Sequence, residues 1–415
     1  MQTKTNVFLW ALYDFANSIV SIVFFLYFAQ WVVIDKGVSD FYFNLTFTIS
    51  ALLLFCTVPL TGSLLDKSLR RITGLRCATA LTAILLGTCA YAALTNKEIT
   101  ALIFFTLGFY MYLLSFTFYT PLLHDIVRNE KRGRVSGLGI AANYLGQITG
   151  LMIALSFATG KISLFGANPR AETLLPAVII FFILALPTLL FFKEPKKTAE
   201  KISLKTKVKS VFMETKVLLS FSSVGLFLLA YFLFNDAILT AGNNFPIFLE
   251  QVWHVSDTVK TYILLGILIT SALGGLLSGL IADKFGHKRT LMVILCGWVI
   301  ILPLVGLLTN FTLFVIATTC MGLWFGANWA VSRSVMAYIA PKGKHNLAFA
   351  YYGLAERASS FVGPLVWGLV VTKLITLGSD RYRIATLVVT GFIILGLLAL
   401  ARVKDDRKIV IDASK

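Results

Sequence analysis

Apolar residues run in long, nearly unbroken blocks along this chain, punctuated by short polar clusters. Twelve blocks can be marked, at residues 8–33, 41–65, 72–94, 99–124, 135–158, 173–192, 217–249, 258–282, 290–309, 311–338, 346–373 and 383–402. At 1.5 Å per residue each is long enough to cross a hydrocarbon layer of about 30 Å as a helix. The pattern predicts an all-α polytopic membrane protein with twelve transmembrane helices. The first block begins by residue 8, contains Asp14 and Asn17 and outruns the core of a signal peptide. It reads as a retained helix.

One polar cluster occurs twice. Gly62-Ser63-Leu64-Leu65-Asp66-Lys67, followed by Arg70 and Arg71, returns as Gly279-Leu280-Ile281-Ala282-Asp283-Lys284, followed by Gly286, Lys288 and Arg289. Both glycines and both aspartates are 217 residues apart, about half of the 415-residue chain, as an internal duplication requires. Two pseudo-symmetric six-helix bundles are therefore expected, at 1–192 and at 217–415, the second ending in a short tail. The stretch 193–216 joins them and carries eight lysines. Its apolar positions Ile202, Val208, Val211 and Phe212 suit an amphipathic helix on a membrane surface, and a solvated linker fits equally well.

Composition agrees with a membrane protein: 57% of residues are hydrophobic and 14% charged, against about 25% charged in soluble domains. The net charge of +17 does not point to nucleic acid, because twelve crossings divide the basic residues unevenly. With both termini cytoplasmic, 28 of the 37 Lys and Arg fall on the cytoplasmic side, 8 on the other, and Arg357 lies within a helix. This is the positive-inside asymmetry, and it sets basic loops against anionic headgroups. Short loops leave no room for a soluble catalytic domain. There is no GxxxxGK[ST] phosphate loop, HExxH, GxSxG or metal-ligand cluster, so no ATP-driven pump, enzyme, cofactor or metal is expected. The five cysteines sit inside apolar blocks and read as small buried hydrophobes.

Twelve helices, a central basic linker and the repeated Gly-x-x-x-Asp-Lys hinge resemble the major facilitator superfamily of secondary transporters. The second hinge fits the family motif throughout, whereas the first has Leu69 where the family usually has glycine. A narrower resemblance lies in Leu12-Tyr13-Asp14-Phe15-Ala16-Asn17-Ser18, in Leu229 to Asp236 with Asn235-Asp236 at its end, in Ser332-Arg333-Ser334 and in Gly363-Pro364. These are similar to the vacuole-effluxer-like branch, whose eukaryotic members are linked to amino-acid export from the vacuole. The resemblance implies alternating access of two halves around a cavity between segments 1, 4, 7 and 10. It implies a cytoplasmic gate in which Asp66 and Asp283 each cap a helix of the other half, with Gly62, Lys67, Arg70, Gly279, Lys284, Gly286 and Lys288 beside them.

Ionisable residues at membrane depth cost at least about 2.5–3.5 kcal/mol, which makes them the first candidates for function. Asp14, Asn17, Ser18 and Ser21 share one face of segment 1. That stripe is either a substrate or proton site or a helix contact in which Asp14 pairs with a basic residue. In segment 7, Asp236, Thr240 and Asn243 share a face where Gly242 and Pro246 should weaken the helix. Asp236 either carries protons or packs against that weak point, and it relates only loosely to Asp14 by the repeat. Matching Gly150 to Gly363 sets Asn143 opposite Glu356, at an offset of 213. Glu356 reads as a proton carrier or an interdomain brace, and Arg357 as a substrate counter-ion or an ion-pair partner. Trp324 and Asn328 on segment 10 would line a pocket for an organic solute or simply pack, and Tyr112, Ser115 and Tyr119 form a weaker stripe on segment 4. His124-Asp125 reads as a gate or surface pair. Gly133 and Gly137, Gly146 and Gly150, and Gly275 and Gly279 are each four apart and would let two rocking halves approach closely.

The expected function is transport of a small polar or amphipathic organic solute, an amino acid or relative favoured, coupled to protons, by a monomer in a bacterial inner membrane. The alternatives are a gradient-independent uniporter and a lipid or drug translocase.

Overall fold

Inside a bilayer every backbone N–H and C=O must find a partner within the protein, and a helix supplies them all locally. The computed structural model describes residues 4–65, 70–126, 132–194, 222–341 and 345–404, and among these the regular structure is entirely helical. Twelve spans are long and apolar enough to cross a membrane. They are α1 (Lys4–Asp35), α2 (Asp40–Leu65), α3 (Arg71–Leu94), α4 (Glu98–Ile126), α5 (Arg132–Ala158), α6 (Pro169–Phe191), α7 (Ser222–Trp253), α8 (Asp257–Phe285), α9 (His287–Leu307), α10 (Phe311–Ile339), α11 and α12 (Asp380–Ala401). α11 is in two pieces, α11a (His345–Ala358) and α11b (Val362–Lys373). Asp66, Lys67 and the lysine-rich linker beyond Glu194 lie outside the described residues, as do the surroundings of Gly62 and the side chains of His124 and Asp125.

Helix ends follow local chemistry. Gly286, at φ +100°, is the single residue between α8 and α9, a conformation that suits only glycine. Asn168 caps α6, accepting from the Arg170 N–H at 2.9 Å, with Pro169 at the first helical position. Asn310 caps α10 through the Leu313 N–H at 3.1 Å. α1 departs from regular geometry in its second half, where Phe24–Phe28 and Trp31–Asp35 are π-helical turns.

The chain forms two compact units. Met1–Val208 with Asn243–Tyr262 make the first, and Lys209–Gly242 with Ile263–Lys415 the second. In the first, α1 packs on α5 and α6, α3 on α4 and α6, and α2 on α4. In the second, α9 packs on α10 and α12, and α11b on α12. The pairs α3–α4 and α3–α6 thus recur as α9–α10 and α9–α12, as the duplication predicts. Gly242 and Pro246 do not break α7, which is helical throughout Ser222–Trp253. The boundary between the units nevertheless falls at Gly242–Asn243.

Two of the small-residue pairs make close contacts within a unit. Gly146 lies against Ser18 and Gly150 against Ile19, so they seat α5 on α1 inside the first unit. Gly275 faces Gly326, seating α8 on α10 inside the second, while Gly137 and Gly279 face open space. One sequence expectation needs correction: the cysteines are mostly not buried. Cys89 is, but Cys56, Cys77, Cys296 and Cys320 are exposed on the helix surfaces. A thiol is apolar enough for a lipid-facing position, so hydrophobicity alone did not imply burial.

A Cβ at Gly326 would lie 2.6 Å from the Ser271 carbonyl carbon, which leaves no room for a side chain. Gly326→Val is expected to cost about 1–3 kcal/mol through overpacking. Thermal unfolding in detergent should show a clear drop in Tm, whereas Gly279→Val, in open space, should leave it nearly unchanged.

Candidate functional site

Pro364 explains why α11 is interrupted. In a continuous helix its ring would meet the Ser360 carbonyl four residues earlier, and it has no N–H to donate. The helix stops at Ala358 and restarts at Val362, with Pro364 tolerated in the new first turn. Two adjacent side chains on α7 satisfy the broken ends. Asp236, 1% exposed, accepts from the N–H groups of Phe361 at 3.2 Å and Gly363 at 2.6 Å. Asn235 donates to the Glu356 carbonyl at 3.3 Å and the Ser359 hydroxyl at 2.5 Å. A Cβ at Gly363 would stand 3.0 Å from Asp236 Oδ1, so the carboxylate fits because that residue is glycine. One turn before the break, Glu356 and Arg357 are half-buried. The Glu356 carboxylate and the Arg333 guanidinium lie within Coulombic reach of Tyr231 and Tyr352, whose rings stack at 4.5 Å.

In the first unit Asp14 is half-buried and accepts from Asn143 Nδ2 at 3.2 Å, while Gln147 donates to Asn143 at 2.7 Å. Trp10 stacks on Tyr119 at 5.1 Å, and the Tyr119 hydroxyl donates to the Trp10 carbonyl at 2.8 Å. Tyr13 and Thr79 share a hydrogen bond of 2.7 Å. The rest of the stripe is turned inward. Asn17 and Ser18 are buried, and Ser18 and Ser21 donate to carbonyls of their own helix.

On α10, Trp324 is a packing residue, its indole lying against Gly297 of α9 while Trp298 Nε1 donates to its carbonyl at 3.3 Å. Asn328 and Ser332 are 0% exposed, and their side-chain polar atoms have no hydrogen-bond partner among the described residues. Each such group costs about 1–3 kcal/mol if left unpaired, so this turn of α10 is a place for a polar guest or water. Asn243 is buried in the part of α7 that belongs to the first unit, and its neighbour Asn244 exchanges two amide hydrogen bonds with Asn44, at 2.9 and 2.8 Å.

Residues 27–410 match the family described as vacuole effluxer Atg22 like. The chain belongs to this family. It is 27% identical over 200 residues to autophagy-related protein 22 of Candida glabrata, matching 44% of this chain and 36% of that protein. Against the Saccharomyces cerevisiae protein of that name the figures are 28% over 206 residues, 46% and 39%. The chain thus spans less than half the length of these relatives. The MFS-type transporter YxiO of Bacillus subtilis is 24% identical over 424 residues, covering 96% of this chain and 94% of that one. Among solved structures, the nucleoside transporter NupG superposes with a TM-score of 0.77 at 14% identity, over 96% of this chain and 100% of that one. A D-xylose-proton symporter gives 0.67 at 14%, over 95% and 97%. The fold of this Atg22-like chain is that of these major facilitator transporters.

The hinge of this Atg22-like chain is visible in its second copy. Asp283 and Lys284 are exposed, Lys284 lies over the Phe285 ring at 5.4 Å, and Lys288 donates to the carbonyls of Ala401 at 3.0 Å and Val403 at 2.5 Å. In the first copy Arg70 is exposed and extended ahead of α3. The first turn of α3 is capped by a residue the sequence did not single out. Glu194 accepts from the N–H groups of Arg71 at 3.2 Å and Ile72 at 3.1 Å.

A second unanticipated feature of the Atg22-like protein is ionic. Where α1 ends, Arg170 of α6 bonds Asp35 of α1 at 2.8 Å, Glu250 of α7 at 2.9 Å and Asp257 of α8 at 2.9 Å. Lys260, 0% exposed, bonds Glu250, Gln30 and, at 2.8 Å, Asp257. All six residues lie in the first unit. A signal was present in the sequence, since Glu250, Asp257 and Lys260 flank one short connection, but nothing in it named Arg170 as their partner.

Two outcomes follow. Asp236→Ala leaves the restart of α11 uncapped and should cost about 2 kcal/mol in thermal unfolding, while Asp236→Asn, which keeps one of the two acceptor oxygens, should lose about half as much. Arg170→Ala strands Asp35 and leaves Glu250 and Asp257 to Lys260 alone, and should cost about 3 kcal/mol, as breaking a buried pair does. A double-mutant cycle with Asp257→Ala should then show strong non-additivity.

Proposed function

We propose that this chain is a secondary transporter that moves a small polar organic solute, an amino acid or related metabolite, by alternating access coupled to protons. The observation that carries this reading is the half-buried pair of membrane-depth carboxylates, Asp14 and Glu356, each set among tyrosines. Charge at that depth is costly enough to be kept for a purpose. Unpartnered Asn328 and Ser332, next to the aromatic residues Phe325 and Trp329, suit a solute with both polar and apolar parts. The vacuole-effluxer description of the family supports export, and the D-xylose-proton symporter supports proton coupling within the fold. The positive-inside asymmetry supports both termini on the cytoplasmic side with the lysine-rich linker at anionic headgroups, and a bacterial inner membrane is the proposed setting. Asp66 and Asp283 keep their proposed gate role, Arg357 that of a counter-ion.

Purified protein in liposomes, given a mixture of tritiated amino acids, is expected to show saturable counterflow, and accumulation when a pH gradient is imposed. Counterflow indifferent to the gradient would make it a uniporter. Absence of counterflow alongside phospholipid scrambling would make it a lipid translocase and overturn the reading.

A further inference from the structure

The duplication can be tested contact by contact, because α5 on α1 and α11 on α7 are the same packing made twice. An offset of 217 carries α1 onto α7 and one of 213 carries α5 onto α11. Gly150 lies against Ile19, and its counterpart Gly363 bonds Asp236, the counterpart of Ile19. Gly146 lies against Ser18, and its counterpart Ser359 bonds Asn235, the counterpart of Ser18. Gly139 lies against Trp10, and its counterpart Tyr352 stacks on Phe227, the counterpart of Trp10, at 6.5 Å. The same register names a fourth pair. Asn143 donates to Asp14 at 3.2 Å, and their counterparts are Glu356 and Tyr231.

Asp14 therefore does not correspond to Asp236, even loosely. It corresponds to Tyr231, while Glu356 corresponds to Asn143. Each half has one carboxylate at the same place, supplied by the first helix of the pair in one half and by its partner in the other. The surroundings are alike in kind but not position for position, since Tyr13 has Ala230 as its counterpart and Tyr352 has Gly139. Asp14 acts on Tyr13 of its own helix and Tyr119 of α4, with Asn143 and Gln147 beyond it on α5 and Thr79 from α3 bonded to Tyr13. Glu356 acts on Tyr231 of α7 and Tyr352 of its own helix, with Arg333 from α10 also facing them and Arg357 adjacent in the chain. Both carboxylates are half-buried, whereas Asp236 is 1% exposed and bonded to backbone N–H groups. Its counterpart is Ile19 because α5 is continuous where α11 is broken, so the first half has no gap to cap.

We infer that Asp14 and Glu356 are a pseudo-symmetric pair of proton-binding sites, one per half, and that Asp236 is a positioning residue that holds the break in α11. The inference deepens the proton-coupled reading above, and its test needs no solute. Infrared spectra of the detergent-purified protein should show a protonated-carboxyl band that grows from neutral to acidic pH. Asp14→Asn and Glu356→Gln should each remove part of it, and Asp236→Asn should not. The double variant Asp14→Asn with Asn143→Asp moves the carboxylate to the helix that carries it in the other half, and should restore the lost part. In liposomes with the tritiated amino-acid mixture, the pH-gradient-driven accumulation lost in Asp14→Asn, roughly tenfold, should return in the double variant. A band unchanged in Asp14→Asn and Glu356→Gln, or lost in Asp236→Asn, overturns the assignment. If the wild type carries none of the amino acids but the band behaves as described, the substrate class fails and the proton sites stand.

Discussion

A backbone amide in hydrocarbon has no water to fall back on, and this requirement governs the molecule more than any single contact. It makes the twelve spans helical, and it makes each departure from regular helix conspicuous. The largest departure is the gap in α11. There the exposed backbone groups are met by two neighbouring side chains, an amide that donates to the ending helix and a carboxylate that accepts from the starting one. The gap sets where Glu356 lies, one turn before it, and so where charge can exist at that depth.

The same requirement separates two uses of polar side chains. Asp236, Ser18 and Ser21 are spent on backbone and serve architecture. Asp14 and Glu356 lie near tyrosines with part of their surface open, as their proposed role requires. Architecture needs sealed partners, and exchange of protons or solute needs unsealed ones. The degree of sealing, rather than the presence of charge, distinguishes the two groups.

Much of this was legible in the residues. The apolar blocks foretold all twelve spans, because lipid permits one regular structure and its length is fixed by bilayer thickness. The repeated hinge foretold the recurrence of α3–α4 as α9–α10. Within the site, the Asn143–Glu356 correspondence was readable from the glycines that flank it. What failed had physical reasons. Gly242 and Pro246 looked like a helix breaker, yet the interruption came at Pro364, where two serines and a glycine could leave the helix and a carboxylate could cap it. Glycine spacing gave close approach correctly but not which helices approached. The cluster around Arg170 was hidden because its members are remote in sequence and each looks like an ordinary span-end charge.

That cluster is cross-braced. Glu250 and Asp257 are each held by both Arg170 and Lys260, and Asp35 and Gln30 add one more strut apiece. In such a lattice, rupture of any one strut leaves the ends of four helices still tied through the others. Thermal fluctuation therefore cannot unpick it link by link, and separation demands that several bonds yield together. A fastening of this kind resists gradual loosening, so the ends of α1, α6, α7 and α8 are held as one block rather than as four separate ends.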